Sequence, residues 1–143
     1  MNEQTMELLK ECTSGCTMAV GSINQIMQYV KDDKLSDLLI AYKGKHEKFH
    51  KEAALLLDEA GKDEKNPSTI DTVMARFGTE MKLMIKSDNH QIAKLMMDGC
   101  NMGIQSICKS INEHPNADKA AVKIAKDIVS VEEDFVKEME KFM

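Results

Sequence analysis

The chain has 143 residues, 43% of them hydrophobic and 30% charged, which suits one globular domain, residues 1–143, with a buried core. A net charge of −5 and a single arginine, Arg76, argue against binding to nucleic acid or anionic membranes, because such surfaces need clustered basic residues. Early charges such as Glu3 and Glu7 interrupt any secretory signal, and no apolar run approaches the roughly 20 residues that cross a bilayer, so we expect a soluble, cytoplasmic protein.

Apolar residues recur at steps of three and four from the start of the chain, which predicts helices packed around a common axis. The first stripe runs through Leu9, Cys12, Cys16, Ala19, Ile23, Ile26 and Val30. The charged turn at residues 31–34 is short, so the second helix must fold back antiparallel to the first. Its stripe runs through Leu35, Leu39, Tyr42, His46, Phe49, Ala53 and Leu56, and Gly61 is expected to end it as a C-cap glycine.

Three further helices are predicted after the polar stretch at residues 62–66. Ser68 is the expected N-cap of an amphipathic third helix over residues 68–86 that carries several methionines. Residues 87–89 read as a break and a new cap, and His114 and Pro115 as the next break. The last helix follows Asn116 and carries Ala121, Ala125, Ile128, Glu132, Phe135, Met139 and Phe142 on its stripe.

The chain also contains an internal similarity. Residues 15–23 (GCTMAVGSI) align without a gap on residues 99–107 (GCNMGIQSI), at an offset of 84 and with five identities. The later stripes align at an offset of 86, which places His46 on Glu132 and Phe49 on Phe135. We interpret residues 4–61 and 89–142 as two duplicated helical hairpins joined by the helix at 68–86.

This organisation resembles the ferritin-like superfamily, and within it small bacterial bundles with a helical crossover between two hairpins. The resemblance covers nearly the whole chain and implies an all-α, antiparallel four-helix bundle with one crossover helix. Metal-binding members carry Glu on two helices and Glu-x-x-His on the other two. Here Glu47 and His50 supply that spacing once, whereas Glu133 is followed by Val136 where the second histidine would stand. The resemblance therefore implies a bundle without an intact di-iron centre.

The residues themselves single out one layer of the core. Antiparallel pairing about the two turns places Cys16, His46, Cys100 and Glu132 at one level, with one residue from each of four helices. Thiolate, imidazole and carboxylate are competent ligands for zinc or ferrous iron, so these four are the candidate metal ligands, with Glu47 and His50 at the fringe. The competing interpretation is that His46 and Glu132 only satisfy each other and that the cysteines pack as small hydrophobic residues.

The cysteines and the methionines are the other residues of the chain with possible chemical roles. All the cysteines, Cys12, Cys16, Cys100 and Cys108, are expected as free thiols in a reducing compartment. Methionines are also plentiful, and six of them fall on or near the third and fourth helices, at positions 74, 81, 84, 96, 97 and 102. Thioethers select cuprous copper, but methionine is also a pliable core filler, and the sequence favours that use.

Three functional hypotheses remain open at this point. The first is a non-catalytic ferritin-like bundle with a small binding or stress-related role and no cofactor. The second is a mononuclear metal or redox protein that uses the Cys, His and Glu layer with iron, zinc or copper. The third is a module that presents its methionine-rich connector helix to a partner, including a second copy of itself. Catalysis is disfavoured, because a Cys16 and His46 pair inside a bundle is screened from substrates and no phosphate loop or GxSxG motif is present.

Overall fold

The computed structural model describes residues 1–61, 67–82 and 88–143, and the regular elements in those ranges are all helical. The α-helices are α1 (Glu3–Ile26), α2 (Asp33–Glu59), α3 (Pro67–Lys82), α4 (Asn89–Glu113) and α5 (Lys119–Glu140). A single turn of 3₁₀ helix, Met27–Tyr29, follows α1, so the first stripe leaves the α-helix before Val30. The all-α class predicted from the sequence is confirmed. Across the described ranges, no helix has the length and apolar character that a membrane span requires.

Side chains at the helix ends fix several of these boundaries. Asn2, Asp32 and Asp88 each accept a hydrogen bond from the backbone N–H three residues on, as N-cap residues do. The predicted cap in the break before the fourth helix is therefore Asp88. Gly61 has a φ of +72°, the left-handed conformation that ends a helix at low cost only for glycine.

The expected start of the third helix was wrong by one or two residues. α3 begins at Pro67, so Ser68 lies inside the helix rather than before it. Proline suits the first helical position, because its ring fixes φ near the helical value and no N–H is needed there. Residues 83–86 of the predicted connector and the polar stretch at residues 62–66 lie outside the described residues.

Hydrogen bonds between distant residues define the directions of the helices. At one end, Thr5 Oγ1 accepts from the Asp118 N–H at 2.7 Å, so the starts of α1 and α5 lie together. At the other end, Asn89 Nδ2 donates to Asp32 Oδ2 at 3.2 Å, so the starts of α2 and α4 lie together. Helices α1 and α5 therefore run one way and α2 and α4 the other. α1 packs against α2 and α4, and α5 packs against the same two helices.

Helix α3 packs against α1 and runs in the same direction. Its Met74 Sδ lies so close to Gly21 that a Cβ there would be only 2.7 Å away, and one turn later Gly78 faces Gln25. Glycine at these two positions lets the two helices approach each other. The Met74 sulfur thus lies in the space that a side chain at position 21 of α1 would fill.

Buried residues form two hydrophobic clusters, one toward each end of the helices. The first contains Leu35, Leu39, Tyr42, Cys100 and Phe135, together with Met81, Met96 and Met139. The second contains Leu8, Cys12, Cys16, Ala53 and Ile128, among others. The methionines that reach the core therefore concentrate at one end of the molecule.

Burial follows the internal similarity of the sequence. The buried residues of α4 are Ile92, Ala93, Met96, Cys100, Ile107 and Ser110, and each lies 84 positions after a buried residue of α1. In the same way, Ala121, Ala125, Ile128, Glu132 and Met139 of α5 lie 86 positions after buried residues of α2. The two aligned stripes thus face the core in both halves of the chain.

Candidate functional site

Four polar side chains meet between α2, α4 and α5. We call them the central cluster: Tyr42, His46, Cys100 and Glu132. Tyr42 and His46 are one turn apart on the stripe of α2, so both face the core. His46 has no exposed surface and Glu132 only 5%. A carboxyl group buried to this extent is costly unless it is hydrogen-bonded, which makes its partners decisive.

The Glu132 carboxylate is the hub of the central cluster. Its Oε1 lies 2.7 Å from His46 Nε2 and accepts a hydrogen bond from the Tyr42 hydroxyl at 2.6 Å. One carboxyl oxygen makes both contacts, and both are shorter than an average neutral hydrogen bond. The interpretation that His46 and Glu132 contact each other is therefore correct, and Tyr42 is a third member that the sequence analysis left out.

The second ring nitrogen of His46 fixes the position of a proton. Nδ1 lies 3.0 Å from the backbone carbonyl of Tyr42, and a carbonyl can only accept, so Nδ1 carries hydrogen. Nε2 then either donates to a carboxylate as part of an imidazolium or accepts from a protonated Glu132. In both forms a single proton lies on the line between Nε2 and Oε1.

Tyr42 links Glu132 to Cys100. The hydroxyl oxygen of Tyr42 lies 3.4 Å from Cys100 Sγ, and since its own hydrogen goes to Glu132, the thiol donates. Burial, with the nearby Cys100 and Glu132, raises the pKa of the Tyr42 phenol well above its ordinary value. The phenol therefore stays protonated. Its ring stacks on Phe135, with centroids 4.0 Å apart, and Tyr42 as a whole is only 4% exposed.

A glycine on α4 makes room for the Glu132 carboxylate. A Cβ at Gly103 would lie 3.3 Å from Glu132 Oε2, closer than an ordinary van der Waals contact. Gly103 aligns with Ala19 of α1 at the offset of 84, so the aligned position in the first hairpin carries a Cβ and the position beside Glu132 does not.

Cys16, the fourth predicted member of this layer, belongs to the second hydrophobic cluster beside Cys12. Burial first, and then the neighbouring Cys12 and Glu132, raise the pKa of the Cys16 thiol. Burial likewise raises the pKa of Cys100, and that of Cys12 to about 12. All the cysteines are free, and these buried ones stay protonated near neutral pH, which makes them poor nucleophiles.

The predicted ligands do not converge as a metal site would. In residues 1–61, 67–82 and 88–143, no three His, Cys, Asp or Glu side chains are grouped so that they could hold an ion. Of the fringe candidates, Glu47 is exposed and His50 is half-buried. The structure thus brings His46, Cys100 and Glu132 into one hydrogen-bonded cluster with Tyr42 rather than around an open coordination position.

A groove of about 520 Å³ lies on the surface between α1 and α3. We call it the α1/α3 groove; its lining includes Gln25, Gln28, Tyr29, Met74, Ala75, Gly78 and Met81. Gln25 Oε1 is buried there, and within the described part of the chain it is the one buried side-chain oxygen or nitrogen without a hydrogen-bond partner. An unpaired buried acceptor is unusual, and a donor brought by another molecule would satisfy it.

One feature of the sequence indicates that Tyr42 belongs to the polar cluster. Tyr42 precedes His46 by four residues on a buried stripe, and a buried phenol normally requires a hydrogen-bond partner.

Comparison with known proteins adds nothing to this geometry, since no family model, curated protein or solved structure matches the chain.

Proposed function

We propose that the protein is a non-catalytic helical bundle of the ferritin-like kind, without an intact di-iron centre, that serves as a small binding or stress-related protein. The observation that carries the proposal is the mutual hydrogen bonding of the central cluster. His46, Tyr42 and Glu132 satisfy one another inside the core, so they act as a structural unit that specifies how α2 and α5 pair. The buried cysteines pack in the two hydrophobic clusters, which supports the same structural role.

The proposal includes a duplication of the helical hairpin. It is supported by the matching positions of buried residues at offsets of 84 and 86, and by α3 running beside α1 between the two hairpins. Under this hypothesis, His46 and Glu132 descend from one ancestral position. One partner became basic and the other acidic, which makes the pairing of the two halves specific.

Metal content tests the proposal most directly. Protein purified without a tag is analysed for iron, zinc and copper, and its melting temperature is measured with each ion added in turn. We expect no stoichiometric metal and no rise in melting temperature, because a ligand that binds only the folded state must stabilise it by mass action. Stoichiometric metal that is lost in a His46→Leu, Glu132→Met variant would instead support a mononuclear metal or redox protein.

That second function has one observation in its favour. The central cluster contains an imidazole, a carboxylate and a thiol, which are competent ligand types for zinc or ferrous iron, and Tyr42 links the thiol to the carboxylate. Binding would require Cys100 to lose its proton and turn from Tyr42. Cys100→Ser should then weaken metal binding strongly, while Cys108→Ser, on the same helix and outside the cluster, should leave it unchanged.

A third function, partner binding through α3, is favoured by the α1/α3 groove and its unpaired Gln25 oxygen. A second copy of the chain is the partner to test first. Sedimentation over a range of concentrations would show self-association. Ala75→Arg places a charge in the groove, whereas Glu80→Arg places one on an exposed position of α3 outside its lining. An oligomer that only Ala75→Arg dissociates would support this function; a monomer at all concentrations would oppose it.

A further inference from the structure

The phenol of Tyr42 has the environment of a redox-active group. A phenol loses an electron readily only if its proton leaves at the same time, because the protonated phenoxyl cation is very acidic. Tyr42 is 4% exposed, and its hydroxyl already donates to Glu132 Oε1 at 2.6 Å. A positioned acceptor at this distance can take a proton without diffusion of water or buffer.

We propose that Tyr42 is a one-electron redox site that reacts with outer-sphere one-electron oxidants. The oxidant takes one electron from the phenol and is reduced by one electron. The O–H bond of Tyr42 breaks as its proton moves to Glu132 Oε1, which leaves a neutral phenoxyl radical. A one-electron reductant restores the phenol when the proton returns along the same hydrogen bond.

His46 lets Glu132 take this proton in either protonation form of the pair. If Glu132 is a carboxylate beside an imidazolium, Oε1 accepts the proton directly. If Glu132 holds the proton that faces Nε2, that proton moves to Nε2 as the phenolic proton arrives, over hydrogen bonds of 2.6 and 2.7 Å. In either case no proton has to enter the core from solvent, and the His46 imidazolium carries the net positive charge that the departing electron leaves behind.

The surroundings of Tyr42 isolate the radical from other radicals in solution. Tyr42 is only 4% exposed, its ring contacts Phe135 and His46, and its hydroxyl lies against Cys100 and Glu132, so a second radical cannot couple with it directly. This property requires no metal and goes beyond the binding role, so either proposal can fail without the other.

The composition makes the test specific. The chain has two tyrosines, Tyr42 and Tyr29, and no tryptophan, so a phenoxyl signal can come from only two residues. The protein is oxidised with photogenerated tris(bipyridine)ruthenium(III), frozen within milliseconds and examined by electron paramagnetic resonance. We expect the phenoxyl signal to persist in Tyr29→Phe and to disappear in Tyr42→Phe. A signal that disappears only in Tyr29→Phe would overturn the proposal.

The role of Glu132 is tested by kinetics in the folded Tyr29→Phe protein. The oxidation rate of Tyr42 should not depend on buffer concentration and should fall in heavy water, because the proton moves within the protein. A rate that rises in proportion to buffer base would refute an internal acceptor. Glu132→Gln should slow the reaction by roughly 100-fold or more, the usual contribution of a positioned proton acceptor. An unchanged rate in a folded Glu132→Gln protein would also refute it.

Discussion

Glu132 lies 2.7 Å from His46, a residue that precedes it by 86 positions on another helix, and the oxygen that makes this contact is also the acceptor for Tyr42. Because one oxygen makes both contacts, the pair cannot be altered without affecting the phenol. Removing any one member leaves another buried polar group without its partner.

Glu132→Leu should destabilise the protein by about 3–5 kcal/mol, because His46 and Tyr42 both lose their acceptor and stay buried. The His46→Leu, Glu132→Met double variant should still be short of wild-type stability by about 1–3 kcal/mol, the cost of the unsatisfied phenol. Adding Tyr42→Phe should restore stability to near or above the wild-type value. Urea unfolding measures all three. A triple variant no more stable than Glu132→Leu would show that the cluster is not simply a set of mutually satisfied groups.

Two glycines of α4, Gly99 and Gly103, allow the gain in helix propensity from alanine to be compared with the cost of crowding Glu132. Gly99→Ala should raise stability by about 0.5–1 kcal/mol, because no atom lies within 4 Å of the new Cβ and alanine favours the helix. Gly103→Ala should lack this gain and lower stability, because its Cβ would press on the Glu132 carboxylate at 3.3 Å. Thermal unfolding of the two variants gives the difference. Equal stabilisation by both substitutions would mean that Glu132 moves aside freely.

Thiol reactivity should separate Cys108 from the other cysteines. Cys12, Cys16 and Cys100 are at most 2% exposed, whereas Cys108 is only partly buried. A small disulfide reagent should therefore modify one thiol quickly in the native protein and four after denaturation. Cys108→Ser should abolish the fast reaction. Fewer than four groups in freshly purified, denatured protein, recovered on reduction, would reveal a disulfide.

Stability should fall at alkaline pH. Burial raises the pKa of Cys12 from an ordinary value of 9.0 to about 12, so between these values the unfolded state loses a proton that the folded state keeps. The contribution is complete below pH 9 and is lost as pH rises toward 12. Cys12→Ala should make the decline less steep by up to about 1.4 kcal/mol per pH unit. Urea unfolding at several pH values measures the slopes, and equal slopes would contradict the assignment.

The sequence alone determined the helices and the faces that they bury. Steps of three and four placed His46 and Glu132 on core stripes, because side chains at that spacing share one side of a helix. A cap within residues 87–89 and the terminating Gly61 were also predictable, since their conformational roles are local. The position of His46 and Glu132 at one level along the bundle was predicted by counting residues from the turn within each hairpin.

The tertiary structure decided which polar groups actually touch. Tyr42 turned toward Glu132 and Cys100, while Cys16 packed into the other cluster, and no local pattern distinguishes these outcomes. They depend on the rotation of each helix about its axis and on the space opposite each side chain, such as that left by Gly103. These quantities are fixed only when all the helices pack together, because side-chain rotamers and partners are chosen by the whole core at once.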